Sequence, residues 1–312
     1  MLKRPSRAAF LALCAATAFS APVLAKPASG DDLAALKAQV QALSAEVRST
    51  RDRAAVENLF STYMYLHNAF RDEDIIPLWA KKGTPGVRAQ YSNIGVYTDW
   101  DKIISYHQGR PAPVSKLVFH YVTTPVIEVA GDGQTAKGLW IVNGLESGLV
   151  DVEQAKNMPA WMFEKELVQG KKVWMHNVYL KYGVDFIKQD GEWKIWHFHC
   201  FEVARAPYGM GWIPFAAAAQ DDAFNVDLMY VGEDGKPVFM PQPDGPATIL
   251  SNTYRTDTAQ RLEARPPVPY RTSAKRSSIE TGASIETGVS IAPEPLRAGT
   301  GQPARAADHF VG

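Results

Sequence analysis

The residues with the most chemistry per unit length lie in Ile195–Val203, "IWHFHCFEV", where His197 and His199 stand two apart and Cys200 follows. Imidazoles in this pattern suit half of a metal site, a pair of acid–base groups, or a strand that happens to carry histidines. On a regular strand, side chains alternate between faces. His197 and His199 then share one face with Trp193 and Ile195, while Cys200 falls on the other with Trp196 and Phe198. A metal site would therefore use the two histidines without the thiol, and no second spaced ligand motif accompanies them, so no metal is expected. His120, between Phe119 and Tyr121 in an apolar run, has the surroundings of a neutral general base or of a hydrogen-bonded core histidine. Tyr63 and His67 are one helical turn apart, so both can face one cavity, with Tyr63 as a proton donor or oxyanion partner.

These groups need elements to position them. Val56, Leu59, Phe60, Tyr63, His67 and Phe70 recur at helical spacing, which predicts a helix with one buried face. Upstream, Leu33, Leu36, Val40, Leu43 and Val47 are spaced 3, 4, 3, 4, and no turn residue separates the two stretches. That heptad stripe reads equally as a helix lying on its own domain or as a zipper between copies. "RDEDIIPLWA" and "DWDKIISYHQ" predict two short helices, and the stretch between them a loop with a short strand. Long strands follow. "KLVFHYVTTPVIEVA" and "TAKGLWIVNGLES" turn at Gly131–Gly133, and "VWMHNVYLKYGVDFIKQ" and "EWKIWHFHCFEVAR" turn at Asp190-Gly191. The excursion "GLVDVEQAKNMPAWMFEKELVQGKK" is a candidate lid or oligomer contact.

The ends differ in kind from the middle. Lys3, Arg4 and Arg7 precede the apolar run "AFLALCAATAF", and Val23-Leu24-Ala25 offers a cleavage site. This order predicts a signal peptide over 1–25 and a periplasmic or secreted protein, with an uncleaved anchor or a lipoprotein as alternatives. Cleavage removes three basic residues and Cys14, leaving 30 basic against 33 acidic residues and one cysteine, which cannot form an internal disulfide. A balanced charge and 46% hydrophobic composition over 312 residues give no reason to expect a nucleic-acid partner. Residues 26–52 are expected to form an amphipathic helix and 53–210 the main domain. An extension over 211–270 is expected to wrap over the domain or a neighbour, and 271–312, with its near-repeat "SIETGASIETGV", to be a disordered tail.

Helices followed by long antiparallel strands predict an α+β fold with a curved sheet around the helices. The order "AVENLFSTYMYLHNAFRDEDIIPLWA", "FHYVTTPVIEVAGDGQTAKGLWIV" and "GVDFIKQDGEWKIWHFHCFEV" resembles the SnoaL-like branch of the nuclear transport factor 2-like superfamily. Its most distinctive piece is Asp-Gly-x-Trp-x-Ile at Asp190–Ile195. The resemblance implies a cone-shaped α+β barrel, homo-oligomerisation as a dimer or trimer, and cofactor-independent lyases, dehydratases or isomerases beside members that only bind ligands. It places His120 at the family's strand histidine and Tyr63 and His67 near its first-helix positions; this chain has His67 and Asn68 where many relatives carry an acid. The expected catalytic set is His120, His67, Tyr63 and His199, with His197, Trp140, Asn143, Tyr97, Tyr91, Tyr179 and His176 as wall residues. Trp140 and Asn143 face opposite ways on a regular strand, so both can line a pocket only if a bulge lies at Gly144. The aromatic-rich wall suits a hydrophobic aromatic small molecule. The expected activity is a cofactor-independent lyase or dehydratase on a hydroxylated aromatic substrate, formaldehyde release from lignin-derived dimers being one subtype. The alternative is a non-enzymatic periplasmic binding protein of the same fold. P-loop, GxGxxG, Gly-x-Ser-x-Gly and CxxC motifs are absent from the sequence, so nucleotide, flavin, serine-hydrolase and dithiol chemistry are not expected.

Overall fold

The computed structural model describes residues 30–107, 114–156, 160–218, 228–231, 237–239, 241–251, 253–260 and 262–272. The expected signal peptide with Cys14, and the tail from residue 273, lie outside the described residues. No helix among the described residues is long and apolar enough to cross a membrane.

The two helical stretches read from the sequence are one helix, α1, Gly30–Asn68. Its 39 residues extend about 58 Å at 1.5 Å per residue. Only the second half enters the core, through Val56, Phe60, Tyr63 and Met64. The heptad stripe does not lie on the domain: Leu33, Leu36, Val40, Leu43 and Val47 are 49–60% exposed. A short α2 (Asp72–Ile75) and a 3-10 turn (Ile76–Leu78) follow, then β1 (Arg88–Tyr91), β2 (Val96–Tyr97) and α3 (Trp100–Ser105). The long strands are β3 (Leu117–Val129), β4 (Thr135–Val150), β6 (Lys171–Gln189) and β7 (Glu192–Pro207). Between β4 and β6 stand α4 (Val152–Ala155), a 3-10 turn (Ala160–Met162) and β5 (Phe163–Val168). The proposed lid is thus in large part sheet, because β5 hairpins back onto β6 through Gln169-Gly170, both at positive φ.

The strands form one sheet in the order β2-β1-β7-β6-β4-β3, with β5 also on β6. All its pairs are antiparallel except β1 with β7. The sheet curves around α1 but does not close, since β2 and β3 end it as separate edges, so the expected cone is an open one. Its turn at Asp190-Gly191 has both residues at positive φ, the geometry that a two-residue hairpin of this sequence favours. The inner face carries Trp140, Val142, Val178, Leu180, Tyr182, Val184 and Phe198 against Phe60 and Tyr63.

The outer face is covered in part by chain that follows the domain. After α5 (Trp212–Ala218) and a small hairpin, β8 (Leu228–Val231) with β9 (Pro237–Phe239), residues 241–272 run across β1, β7 and the β3–β4 turn. Gln90 Nε2 donates to Ile249 O (2.6 Å), the Ser251 amide to Asn93 Oδ1 (2.7 Å), and the Tyr254 amide to Val203 O (2.6 Å). Farther on, the amides of Gly131 and Asp132 donate to Tyr270 O and Arg271 O. Gly95, at φ 151°, lets this strap pass close, since a β-carbon there would overlap Pro243 and the Gly245 carbonyl.

Candidate functional site

Several elements bring titratable groups together at the inner face. The last turn of α1 supplies His67 and Asn68. Asn68 uses both ends of its amide on the backbone of β3: Nδ2 donates to His120 O (2.6 Å) and Oδ1 accepts from the His120 amide (2.9 Å). This clamp replaces a strand partner and holds the His67 and His120 rings at 5.6 Å between centroids. Asn68 is therefore a fixture for the strand.

The His120 side chain fits because its cross-strand partner on β4 is Gly144; a β-carbon there would overlap the imidazole. Two residues along the same face, Glu146 Oε1 lies 3.1 Å from His120 Nε2. Glu146 is itself held by Arg205 from β7, whose Nη1 donates to Oε2 at 2.7 Å, and Arg205 Nε donates to Glu202 Oε1 at 3.3 Å. Burial pushes the Glu146 carboxyl up, yet Arg205, and then His120, outweigh that and hold it well below the usual carboxylate range. Glu202, more dependent on burial and beside Glu146, is pushed upward. One arginine thus serves two carboxylates with opposite tendencies. An ionised carboxylate only accepts hydrogen bonds, so Glu146 places the proton of neutral His120 on Nε2 and leaves Nδ1 as the basic nitrogen. His120 Nδ1 is buried without a protein partner.

On the other side of His67 lies Asp72, at the start of α2, with Oδ1 3.6 Å from both His67 Nδ1 and His107 Nδ1. His107 follows α3, which is started by Asp99: its Oδ1 accepts from the amides of Asp101 (2.8 Å) and Lys102 (3.2 Å). Aromatic rings surround this end. Tyr63 is 6.1 Å from His67 and 6.1 Å from His107, and Trp79 is 6.1 Å from His107, its Nε1 buried without a partner. The His67 side chain is 16% exposed against 5% for His120, so the cluster comes nearest to solvent at His67.

Of the expected catalytic residues, His120, His67 and Tyr63 come together. His199 does not, and neither does His197. A bulge in β7 between the pairs Asp185–His197 and Phe186–Ile195 leaves Trp196 without a partner and inverts the alternation. Ile195 and Phe198 therefore both face the core, and His197 and His199 face outward. His197 Nδ1 is 2.8 Å from Asp185 Oδ2, with Trp196 stacked on its ring at 4.0 Å. His199 is sealed on the same side, stacked on Phe201 at 3.7 Å. Burial, with Arg88 nearby, pushes His199 down to about 3, so it is neutral at ordinary pH. Cys200 does face inward; burial pushes its thiol up to about 12, where it is unreactive.

The expected wall residues divide in the same way. β4 pairs with β6 without a break from Thr135 to Val150, so no bulge exists at Gly144, and Asn143 points outward with its cross-strand neighbour Tyr179, which packs on Trp212. Trp140 is inward but fills the core between Phe60 (4.2 Å) and Phe186, away from His120. Tyr97 is buried with its hydroxyl donating to Pro241 O (2.8 Å). Tyr91 stacks on Tyr106 at 4.2 Å and borders the His107 end. His176 is inward beside Glu146, its Nε2 3.0 Å from Met162 O and its ring against Trp161 and Trp174; burial and Arg205 push it down to about 4. Asp72, Trp79, His107, Glu146, Glu202 and Arg205 were not among the residues expected from the sequence. Among the described residues, no group of three or more His, Cys, Asp or Glu side chains is arranged to hold a metal ion.

Residues 48–199 match the family model for a SnoaL-like domain. No curated protein matches the sequence significantly. Similar solved structures include a putative scytalone dehydratase from Novosphingobium aromaticivorans, 16% identical, covering 53% of this chain and 91% of that one with a TM-score of 0.38. A hexachlorocyclohexane dehydrochlorinase from Novosphingobium barchaimii is 17% identical, with 54% and 99% covered and a TM-score of 0.38. A nuclear transport factor 2-like superfamily protein from Salmonella enterica is 13% identical, with 52% and 98% covered and a TM-score of 0.37. Residues 48–199, from the lower half of α1 to His199 on β7, are a SnoaL-like domain and place the chain in the nuclear transport factor 2-like superfamily.

Proposed function

We propose that this is an exported, cofactor-independent lyase of the dehydratase type, acting on a hydrophobic, hydroxylated aromatic small molecule. The observation that carries the reading is the state of His120: Nε2 is occupied by an ionised carboxylate, and Nδ1 is buried without a partner. A base held in one tautomer beside aromatic rings is arranged to take a proton from carbon. In this reading Nδ1 takes that proton, the C–H electrons form the new double bond, and the neighbouring C–O bond breaks. His67, with Asp72 Oδ1 3.6 Å from its Nδ1, gives a proton to the departing hydroxyl, which leaves as water. Tyr63 and the Trp79 indole N–H are placed to hydrogen-bond charge that builds on the substrate. Release of formaldehyde from a hydroxymethyl-bearing aromatic dimer is the finer alternative. The same base takes the hydroxymethyl O–H proton, and the C–C bond breaks as the C=O of formaldehyde forms. Its electron pair makes a C=C bond, and the adjacent C–O bond breaks with its oxygen taking a proton from His67.

The test incubates the purified protein, with and without chelator, with hydroxylated aromatic dimers and sterol-like compounds, and follows loss of water or formaldehyde by mass spectrometry. Turnover that survives chelation and vanishes in His120→Ala is the expected result. Tight binding with no mass change across the panel would establish a binding protein instead, and turnover restored by added metal after chelation would overturn the cofactor-independent mechanism.

A further inference from the structure

The half of α1 that precedes the domain has a use that the acid–base cluster does not explain. Over Gly30–Thr50 it carries three heptads, about 30 Å of helix, every residue of which is exposed. Leu33, Val40 and Val47 take the first core position of each heptad and Leu36, Leu43 and Thr50 the second. β-Branched residues at the first position and leucine at the second favour two parallel strands. The positions flanking that seam are charged by a rule. Asp32, Gln39 and Glu46 precede the first core position, and Lys37, Ser44 and Arg51 follow the second, so one flank is acidic or neutral and the other basic or neutral.

In a parallel, in-register pair, each flank faces the opposite flank of the partner helix one heptad along. Asp32 then meets Lys37 of the partner subunit, and Glu46 meets Arg51 of the partner subunit, twice each by symmetry. An antiparallel pair would set acid against acid and base against base. The domain does not obstruct the seam. Asp52, on the opposite side of the helix, ties α1 to the sheet through Lys188 Nζ (2.6 Å) and Trp193 Nε1 (3.0 Å). Val56, Phe60 and Tyr63 are buried on that same side, while the seam side continues through exposed Ala54, Asn58 and Tyr65.

We infer that two copies of this chain associate through a parallel, in-register coiled coil of α1, with the two SnoaL-like domains on the outside of the pair. Sedimentation of the full chain over a concentration series tests this. The expected result is a dimer that Leu36→Lys with Leu43→Lys converts to monomer while far-UV circular dichroism retains the sheet signal. Glu46→Lys alone should raise the dimer dissociation constant about tenfold by setting two like-charge pairs across the seam. Adding Arg51→Glu to Glu46→Lys should recover most of that loss. Val40→Cys should cross-link the pair under mild oxidation, because only a parallel, in-register seam brings this residue against itself. A monomeric wild-type chain, a dimer indifferent to Leu36→Lys with Leu43→Lys, or a dimer that Val40→Cys does not cross-link would each overturn the inference.

Discussion

The two faces of the sheet each carry a buried histidine paired with a carboxylate, His120 with Glu146 on β3 and β4 and His197 with Asp185 on β7 and β6, and the pairs differ in what remains after the pairing. On the inner face, His120 is held by Glu146 and keeps a nitrogen with no protein partner, next to a second histidine that is partly open to solvent. On the outer face, His197 is held by Asp185 at 2.8 Å and capped by Trp196, and His199 is enclosed beneath the strap. The inner carboxylate is fixed in its charged form by Arg205. A His–carboxylate pair is therefore a poor marker of chemistry by itself. Nor does an unfilled nitrogen suffice, since both ring nitrogens of His199 are also buried without a protein partner; the inner pair is set apart by the neighbouring histidine that reaches toward solvent.

The sharpest way to break this contrast is to remove one histidine from each face. His120→Ala should lower turnover by about 10³-fold or more, the usual contribution of a positioned general base. His197→Ala should leave turnover within a few-fold and lower the melting temperature instead, since it removes a buried hydrogen bond to the Asp185 carboxyl. If the outer substitution abolishes turnover in a folded protein, the assignment of faces to roles is wrong. Glu146→Gln comes next, with a fall in kcat of about 10²-fold, because the amide no longer fixes the imidazole tautomer. Steady-state kinetics should show most of this loss in kcat rather than KM.

The sequence disclosed one face better than the other, for a physical reason. Helical spacing in α1 and the Gly131–Gly133 turn between β3 and β4 predict elements that the fold contains, and these bring Tyr63, His67 and His120 to one place. Strand parity failed at β7, because a single unpaired residue, Trp196, moves the side chains from His197 to Glu202 to the other face until a second unpaired residue, Val203, restores the alternation. Hydrophobicity could not reveal this. β7 is covered on both faces, by α1 and by residues 241–254, so the apolar pattern carries no inside or outside. Glu146 was hidden for a different reason: "GLES" reads as the end of an apolar strand, but β4 continues to Val150 because β6 is long enough to pair with it. Asp72 and His107 stand on short segments whose place against α1 depends on tertiary packing.

A smaller effect separates the faces by pH. His199 is neutral in the folded chain and held down to about 3 by burial and Arg88, against about 6.5 when unfolded. Its folded-state value is depressed, so its contribution is fully present above pH 6.5 and is lost as pH falls toward 3. Between pH 6.5 and 4 the loss is roughly 3 kcal/mol for this one group. His199→Phe, similar in size and unable to gain a proton, should flatten that limb when urea unfolding is measured at pH 7 and pH 4.5. An unchanged pH dependence would show that His199 is not sealed as the strap suggests.

The smallest expected effect tests whether the strap matters to the outer face alone. The Tyr97 hydroxyl donates to Pro241 O at 2.8 Å, and Tyr97→Phe removes that bond while keeping the ring in the core. A single hydrogen bond of this kind contributes about 1 kcal/mol, and the Pro241 carbonyl left behind is at the boundary with solvent, where water can replace the donor. The expected outcome is a loss near that value in urea unfolding and faster amide exchange at Val96 and Asp244, which bridge the strap to β2. Turnover should be unchanged, because the ring of Tyr91 and the His107 end of the cluster keep their packing. A drop in turnover with normal stability would mean that the strap reaches through β1 to the inner cluster, and the two faces would then be one system.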